Sequence, residues 1–265
     1  MTVTIYEEEQ FDLIKKAGNL AGQVLDLLCK SVKDGISTAV LDQIAEEWIR
    51  SHEAIPTFKG YMGFPASVCV SINHEVVHGI PSKQRILKEG DIVSLDIGVT
   101  VKSKLNNKEW NYIGDTARTV PVGNINSQTK KLLEDTELSL YKGIECCKAG
   151  KTIKDISIAV NDVAIQNKYG IVRLFGGHGI GPNYHSEPFI PNWPEYFEQN
   201  ENSEIKHGML LCIEPMFNLG ADHVRKLKDN WTIVTADHKL SAHFEHTILV
   251  TNEKSYITTK IADSV

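Results

Sequence analysis

Apolar residues recur at helical spacing in the first part of the chain. Between Phe11 and Cys29 they fall three or four positions apart, which places them on one face of a helix. A second run of the same kind follows Thr38, a residue able to cap a helix, and ends near residues 54–56. The pattern therefore predicts two amphipathic helices before any strand.

Short runs rich in β-branched residues come next, separated by clusters of Gly, Pro, Asn and Lys. They predict strands over residues 67–72, 91–101 and 112–122. The order then repeats, with helices predicted over 132–149 and 153–167 and strands over 171–175, 209–217, 231–235 and 244–250. Helices and antiparallel strands in this arrangement indicate an α+β fold.

The two parts of the chain also match in detail. The segment Gly90–Asp96 aligns with Gly208–Glu214, and both place an acid six residues after a glycine, at the end of an apolar run. Asp115 and Glu245 likewise each precede an apolar run. We therefore expect one catalytic domain, residues 1–265, with an internal pseudo-repeat of approximately 1–125 and 126–265.

Composition narrows the class of protein. Hydrophobic residues make up 42% and charged residues 23%, as in ordinary globular proteins, and the net charge of −6 comes without a basic block. Nucleic acid is therefore not the expected substrate. Neither a signal peptide nor a membrane-spanning run is recognisable, and the five cysteines contain no C-x-x-C pair. We expect reduced thiols, a cytoplasmic location and no membrane association.

Several acids lie within apolar sequence. Asp96, Glu214 and Glu245 have apolar neighbours, and a lone buried carboxylate would cost several kcal/mol. Each one alone could be a surface acid or part of an ion pair. Two carboxylates in each part of a pseudo-repeat point instead to a cation site.

Histidines add nitrogen ligands to this set. His178 lies in the glycine-rich segment GGHGIG, which lacks the lysine of a phosphate-binding loop, and His185 follows it. Four carboxylates and an imidazole suit two divalent ions such as Mn²⁺, Fe²⁺, Co²⁺ or Zn²⁺. Two such ions roughly 3.5–4 Å apart can share and activate a water molecule, so this set of ligands indicates a hydrolase.

Taken together, the motifs resemble those of the type I methionine aminopeptidases, and they occur in the order typical of that family across residues 58 to 250. The matching segments are SINHEVVHGIP, DIVSLDIG, GDTA, GGHGIG followed by His185, IEPM and FEHT. The resemblance implies the pita-bread (creatinase/aminopeptidase) fold. It also implies metal-dependent removal of the initiator methionine from proteins whose second residue is small.

The resemblance implies a role for individual residues. The metal ligands are Asp96, Asp115, His178, Glu214 and Glu245. The catalytic residues are His78 and His185, which contact the substrate, and Glu214, which also transfers a proton. The remaining substrate-binding residues form an apolar methionine pocket: Tyr61, Phe64, Cys69, Tyr184 and Trp231. Phe58 is a weaker member of the pocket for which an ordinary core position is the simpler interpretation, and His78 alone could be a strand-end histidine bonded to backbone.

Three alternatives remain open. Prolidases and aminopeptidases P share the implied fold and ligands, but only about 55 residues precede the GYMGFP segment, too few for their additional N-terminal domain. Type II methionine aminopeptidases carry a helical insertion that has no room between His185 and Glu214. A noncatalytic binding protein on the same fold would be expected to have lost ligands, whereas all five are present.

One segment departs from the resemblance. Residues 102–111 extend the connection between Asp96 and Asp115, and their polar character predicts a solvated hairpin tip, with a lid or docking surface as the alternative. The expected partners are the N-termini of nascent polypeptides. We expect a monomer, and any contact with the ribosome would be transient and would use the folded surface.

Overall fold

The computed structural model describes residues 3–261, in which four amphipathic helices cover the strands. Their apolar faces are buried and their opposite faces carry the charged residues, as the spacing of the sequence requires. The helix over Ile153–Asn167 has a capping box in which Thr152 and Asp155 bond reciprocally to backbone N–H groups. The four are α1 (Phe11–Ser31), α2 (Thr38–Ser51), α3 (Ser127–Cys146) and α4 (Ile153–Asn167).

Five strands lie between the helix pairs. They are β1 (Ile55–Pro56), β2 (Cys69–Ile72), β3 (Glu75–Val77), β4 (Ile92–Leu105) and β5 (Lys108–Pro121). Ten further strands follow α4. They are β6 (Gly170–Ile171), β7 (Gly177–Gly179), β8 (Ser186–Ile190), β9 (Leu210–Ile213), β10 (Met216–Asn218), β11 (Val224–Lys226), β12 (Ile233–Thr235), β13 (Ser241–His243), β14 (His246–Leu249) and β15 (Tyr256–Ile257).

These strands form four antiparallel sheets. One has the order β1-β4-β2 with β5 paired to β4, and another has the order β15-β14-β9-β7-β8. Two smaller sheets have the orders β13-β10-β6 and β11-β12-β3. One hydrophobic core lies between α1, α2 and the β4–β5 hairpin, and a second lies between α3, α4 and the strands that follow them.

Threonine hydroxyls join the β4–β5 hairpin to the strands of the second core. The backbones of Ala117 and Glu245 form a bridge of two hydrogen bonds. Around it, the Thr116 hydroxyl donates to the Glu245 carbonyl at 2.8 Å. The Thr247 hydroxyl donates to the Asp115 carbonyl at 2.7 Å and accepts from the Asp115 N–H at 2.9 Å. We call this junction the threonine seam.

The β4–β5 hairpin is longer than the sequence predicts. Both strands have 14 residues, and their ladder runs without a break to the pair Leu105–Lys108. Asn106 and Asn107 both have positive φ, as a two-residue hairpin turn of the primed type requires. The extension is therefore a hairpin, but its solvated turn is confined to two residues.

The predicted bounds of the other helices and strands can be compared with those observed in the structure. The predicted bounds of α4 are confirmed, whereas Thr38 is not the cap of α2. The N-cap is Ser37, and the Thr38 hydroxyl instead donates to the Ser82 carbonyl at 3.1 Å. The strand predicted over 171–175 is wrong beyond Ile171, because only β6 pairs there.

The same order of a helix pair followed by strands occurs twice along the chain. The single domain with a pseudo-repeat about residue 125 stays a prediction. In residues 3–261, no helix is both long enough and apolar enough to cross a membrane.

Candidate metal centre and active site

The β4–β5 hairpin places two of the predicted ligands on one face of its sheet. Asp96 is paired with Ala117, and Asp115 is paired with Gly98. Because paired residues point to the same face and the two pairs are two positions apart, the two carboxylates are diagonal neighbours. Each acid has a small residue opposite it, which leaves space above the sheet.

The other predicted ligands come from strands that follow α4. His178 lies in β7, opposite Cys212 of β9. Glu214 follows β9, at the break before β10, and Glu245 lies in the break between β13 and β14. The strand predicted over 209–217 is therefore interrupted at Glu214, and the strand predicted over 244–250 begins only at His246, after Glu245.

These carboxylates are buried, and several of their oxygens are unpaired. Asp96 is 8% exposed, Asp115 1% and Glu245 2%. Among the described residues, no hydrogen-bond partner reaches either Oδ of Asp115, Oδ1 of Asp96 or Oε1 of Glu245. Buried polar atoms are almost always satisfied, so this group of orphaned oxygens is a donor set for a cation.

Burial and mutual repulsion both raise the pKa values of these acids. Burial raises the pKa of Asp115 to about 7. Burial, reinforced by the neighbouring carboxylates, raises the pKa values of Asp96, Glu214 and Glu245 well above their usual range. Without a counter-charge the four groups therefore resist ionisation, and divalent cations would supply that counter-charge.

The ring of His178 has the orientation that a metal ligand would need. Its Nδ1 is 3.0 Å from the Gly179 carbonyl, and a carbonyl only accepts, so Nδ1 carries the proton. The Nε2 lone pair then faces Oδ2 of Asp115 and Oε1 of Glu214, each at 3.8 Å. Burial lowers the pKa of His178 to about 3, which keeps the imidazole neutral. A neutral ring held by a carbonyl and aimed at carboxylates is the arrangement of a metal-binding histidine.

Metal-ligand geometry is also recognisable in a smaller group. One potential ligand atom from each of Asp115, His178, Cys212 and Glu245 lies within 4.8 Å of every other. The Cys212 sulfur is also 3.5 Å from the Thr247 hydroxyl, and burial raises the pKa of its thiol well above its usual range. Cys212 is not one of the predicted ligands, and its sulfur lies against the other three side chains of this group.

All five predicted ligands line one cavity of about 310 Å³. His78 and His185 line the same cavity. The His78 backbone is left-handed, with φ of 60°, and its ring packs edge-on against Phe175 at 5.5 Å between centroids. The Tyr61 hydroxyl is 2.9 Å from Nδ1 of His185, which fixes that ring at the mouth of the cavity.

A second cavity of about 480 Å³ adjoins the first and is largely apolar. It is lined by the predicted pocket residues Tyr61, Phe64, Cys69, Tyr184 and Trp231, and also by Phe58, His78 and Asp96. Phe64 and Trp231 meet edge to face at 5.0 Å. Phe58 is 4% exposed, so it is both a core residue and part of the pocket wall.

His243 has a position that its sequence does not reveal. Sequence alone suggests an ordinary strand histidine, yet its Nε2 lies 3.3 Å from Oε2 of Glu214 and the residue is 1% exposed. Asn192 donates to the Glu214 carbonyl at 3.0 Å. The only available signal was the position of His243 two residues before Glu245, because its partner is distant in sequence.

Similarity to known proteins agrees with this geometry. The profile of metallopeptidase family M24 matches residues 12–252. "Methionine aminopeptidase 1" of Bacillus subtilis is 47% identical over 252 residues, covering 95% of this chain and 97% of that protein. "Methionine aminopeptidase" of Clostridium acetobutylicum is 40% identical over 257 residues, covering 97% and 98%.

Solved structures show the same fold. The methionine aminopeptidase from Rickettsia prowazekii aligns with a TM-score of 0.89 at 37% identity, covering 98% of this chain and all of that one. The prolidase from Pyrococcus horikoshii aligns with a TM-score of 0.73 at 20% identity, with 64% of its chain covered, which shows the pita-bread fold alone. The α+β pita-bread prediction and the resemblance are thus confirmed. The chain belongs to metallopeptidase family M24 and, within it, to the methionine aminopeptidases.

Proposed function

We propose that this chain removes the initiator methionine from nascent polypeptides whose second residue is small. The observation that carries the proposal is the junction of two cavities. The cavity lined by the five ligands opens into an apolar pocket built from aromatic rings and a buried cysteine, and Asp96 and His78 line both. A methionine side chain in the pocket would therefore place its own amide beside the ligands.

The ligand set is suited to two divalent ions. Asp96 would bind one ion, His178 and Glu214 the other, while Asp115 and Glu245 would bridge the pair. Carboxylates with one imidazole fit Co²⁺, Mn²⁺, Fe²⁺ or Zn²⁺. When bound, such a pair supplies an activated water and a Lewis acid for the carbonyl of the first peptide bond.

The protein side chains supply the remaining steps. Glu214 would take the proton from the attacking water and deliver it to the leaving amine. His78 would contact the scissile amide, and His185 would donate to the developing oxyanion. Burial lowers the pKa of His78 to about 4, so it is neutral at physiological pH and can both donate and accept.

The pocket provides the specificity for methionine. A thioether packs favourably against aromatic rings, and the edge-to-face pair of Phe64 and Trp231 offers such a surface. The buried Cys69 adds a polarisable sulfur to the wall. His78 and His185 line the cavity that would receive the second residue of the substrate, and they would leave room there for a small side chain only.

The proposal is tested by methionine release from Met-Gly-Met-Met, using metal-free protein loaded separately with each of the four ions. We expect metal-dependent release, weak activity on Met-Trp peptides, and none on an Xaa-Pro peptide without methionine. Cleavage of the Xaa-Pro peptide alone would assign the proline-specific activity instead. Titration calorimetry should give two ions per chain, and a single ion would contradict the dinuclear assignment.

The cellular setting follows from the substrate. We place the protein in the cytoplasm, acting as a monomer on polypeptides that emerge from the ribosome, with only transient ribosome contact. Sedimentation and ribosome pelleting would test both points.

A further inference from the structure

A third depression lies beside the two cavities of the active site. It is a groove of about 550 Å³ bounded by β1, by the middle of the β4–β5 hairpin and by the loop after β7. Tyr61, Tyr184 and His185 line both this groove and the methionine pocket. The proposed peptidase reaction makes no use of it, and its size falls within the range of ordinary ligand sites.

The hairpin extension builds one wall of this groove. Thr100 is paired with Ile113 and Lys102 with Asn111, so all four side chains share one face of the hairpin. The opposite face is covered, since Trp110 and Tyr112 pack against Tyr6 with ring centroids 6.2 and 6.3 Å apart. The face that carries Lys102 is therefore the one open to a ligand.

A hydrogen bond connects this wall to the loop after β7. The Asn111 side chain donates to the Pro182 carbonyl at 3.2 Å. Pro182 lies two and three residues before Tyr184 and His185, which line the active site. The groove is thus continuous with the mouth of the active site and held in a fixed position relative to it.

The charge of the groove is positive although the chain carries a net charge of −6. Two lysines and no carboxylate are among its lining residues. Lys59 is paired with Glu46, whereas Lys102 makes no salt bridge within residues 3–261. Lys102 is therefore available to an anionic group that enters the groove.

We propose that this groove binds the segment of the substrate beyond its second residue and favours acidic side chains there. The proposal rests on the aminopeptidase function described above. The N-terminal methionine fills its pocket, and the extended chain leaves past Tyr61 and His185 along the hairpin face. Lys102 and Asn111, the first and last residues of the 102–111 extension, thus contribute to substrate specificity.

The test is an internal competition between two peptides, Met-Ala-Ser-Glu-Glu-Ser and Met-Ala-Ser-Lys-Lys-Ser, with product ratios read by mass spectrometry. We expect the acidic peptide to have the higher kcat/KM, by about fivefold, as suits exposed charge pairs. The preference should shrink in 1 M salt, which screens such pairs. Lys102→Glu should reverse it.

Lys108→Glu is the matched control, because it makes the same change of charge on the same hairpin. Its ammonium lies over the Trp110 ring at 4.2 Å, on the covered face, so the preference should persist. Equal cleavage of both peptides, or a preference unchanged in Lys102→Glu, would refute the proposal that the groove binds acidic side chains. Release of methionine from Met-Ala-Ser in the same experiment would still support the peptidase function. Failure to cleave Met-Ala-Ser would overturn both.

Discussion

Replacing Asp115 by Asn should make the metal-free protein more stable at neutral pH. The pKa of Asp115 is raised from 3.8 to about 7 by burial. At 1.36 kcal/mol per pKa unit, this shift destabilises the folded state by on the order of 4 kcal/mol at a pH where the carboxyl group is ionised in the unfolded chain. Asparagine has nearly the same shape and no charge, so most of this cost should disappear.

The pH dependence has a definite sign. Between pH 3.8 and about 7 the folded chain retains a proton that the unfolded chain has lost, so the free energy of unfolding falls as pH rises. Below pH 3.8 both states are protonated and nothing is lost. Metal-free wild type should therefore lose stability from pH 5 to pH 8, and Asp115→Asn should lose less.

Denaturant unfolding of metal-free protein at pH 5 and pH 8 measures both effects. Asp135→Asn is the control, because Asp135 is also buried but accepts hydrogen bonds from Lys131 at 2.6 Å and Tyr169 at 2.8 Å. Its replacement should lower stability. Added Mn²⁺ should stabilise wild type far more than Asp115→Asn. If Asp115→Asn is less stable than wild type at pH 8 without metal, the account of the site as a cluster of strained acids is refuted.

Three further changes test individual contacts of the site. His243→Leu should weaken metal binding by about tenfold or more in calorimetry, since Glu214 loses its neighbour, while His243→Gln should largely restore it. Tyr61→Phe should lower kcat by about fivefold and leave metal affinity unchanged, because only the hydrogen bond to His185 is lost. His78→Ala should keep both ions in calorimetry yet lose most of the turnover, and retained turnover would remove His78 from the mechanism.

Local pattern was sufficient for α4, whereas the helix predicted over 132–149 is α3, which spans Ser127–Cys146. The apolar spacing and the Thr152 capping box define α4 within the sequence itself, and its bounds agree with the structure. Thr38 illustrates the limit of such reasoning. Its hydroxyl bonds to the Ser82 carbonyl, 44 residues away, and Ser37 takes the capping position. Contacts with distant backbone are not visible in local sequence.

The sequence of the hairpin extension alternates as a strand does, although its polar composition is typical of a loop. Val101, Ser103 and Leu105 alternate with lysines, as a strand with one covered face requires. The run of Lys and Asn suggested a loop, but the aromatic residues of the return strand cover the inner face. Alternation was therefore more informative than composition.

The sequence allowed the ligands to be predicted one by one, but it did not predict the residues that surround them. Asp96 ends an apolar run, and Asp115 and Glu245 each precede one, which is visible in the sequence. The contact between His243 and Glu214 depends on how β13 pairs with β10, and a pairing register is a property of the folded sheet.

The threonine seam fixes the register between β5 and β14, and this register determines where the carboxylates of the site lie. Strand side chains alternate between faces, so a slip of one residue between β5 and β14 would turn Asp115 or Glu245 away from the cavity. A slip would break the backbone bridge at Ala117. It would also break the hydrogen bonds of the Thr116 and Thr247 hydroxyls, so these contacts oppose it. The carboxylate oxygens would then already be in position before the ions bind. Their relative positions are set by uncharged residues of the seam.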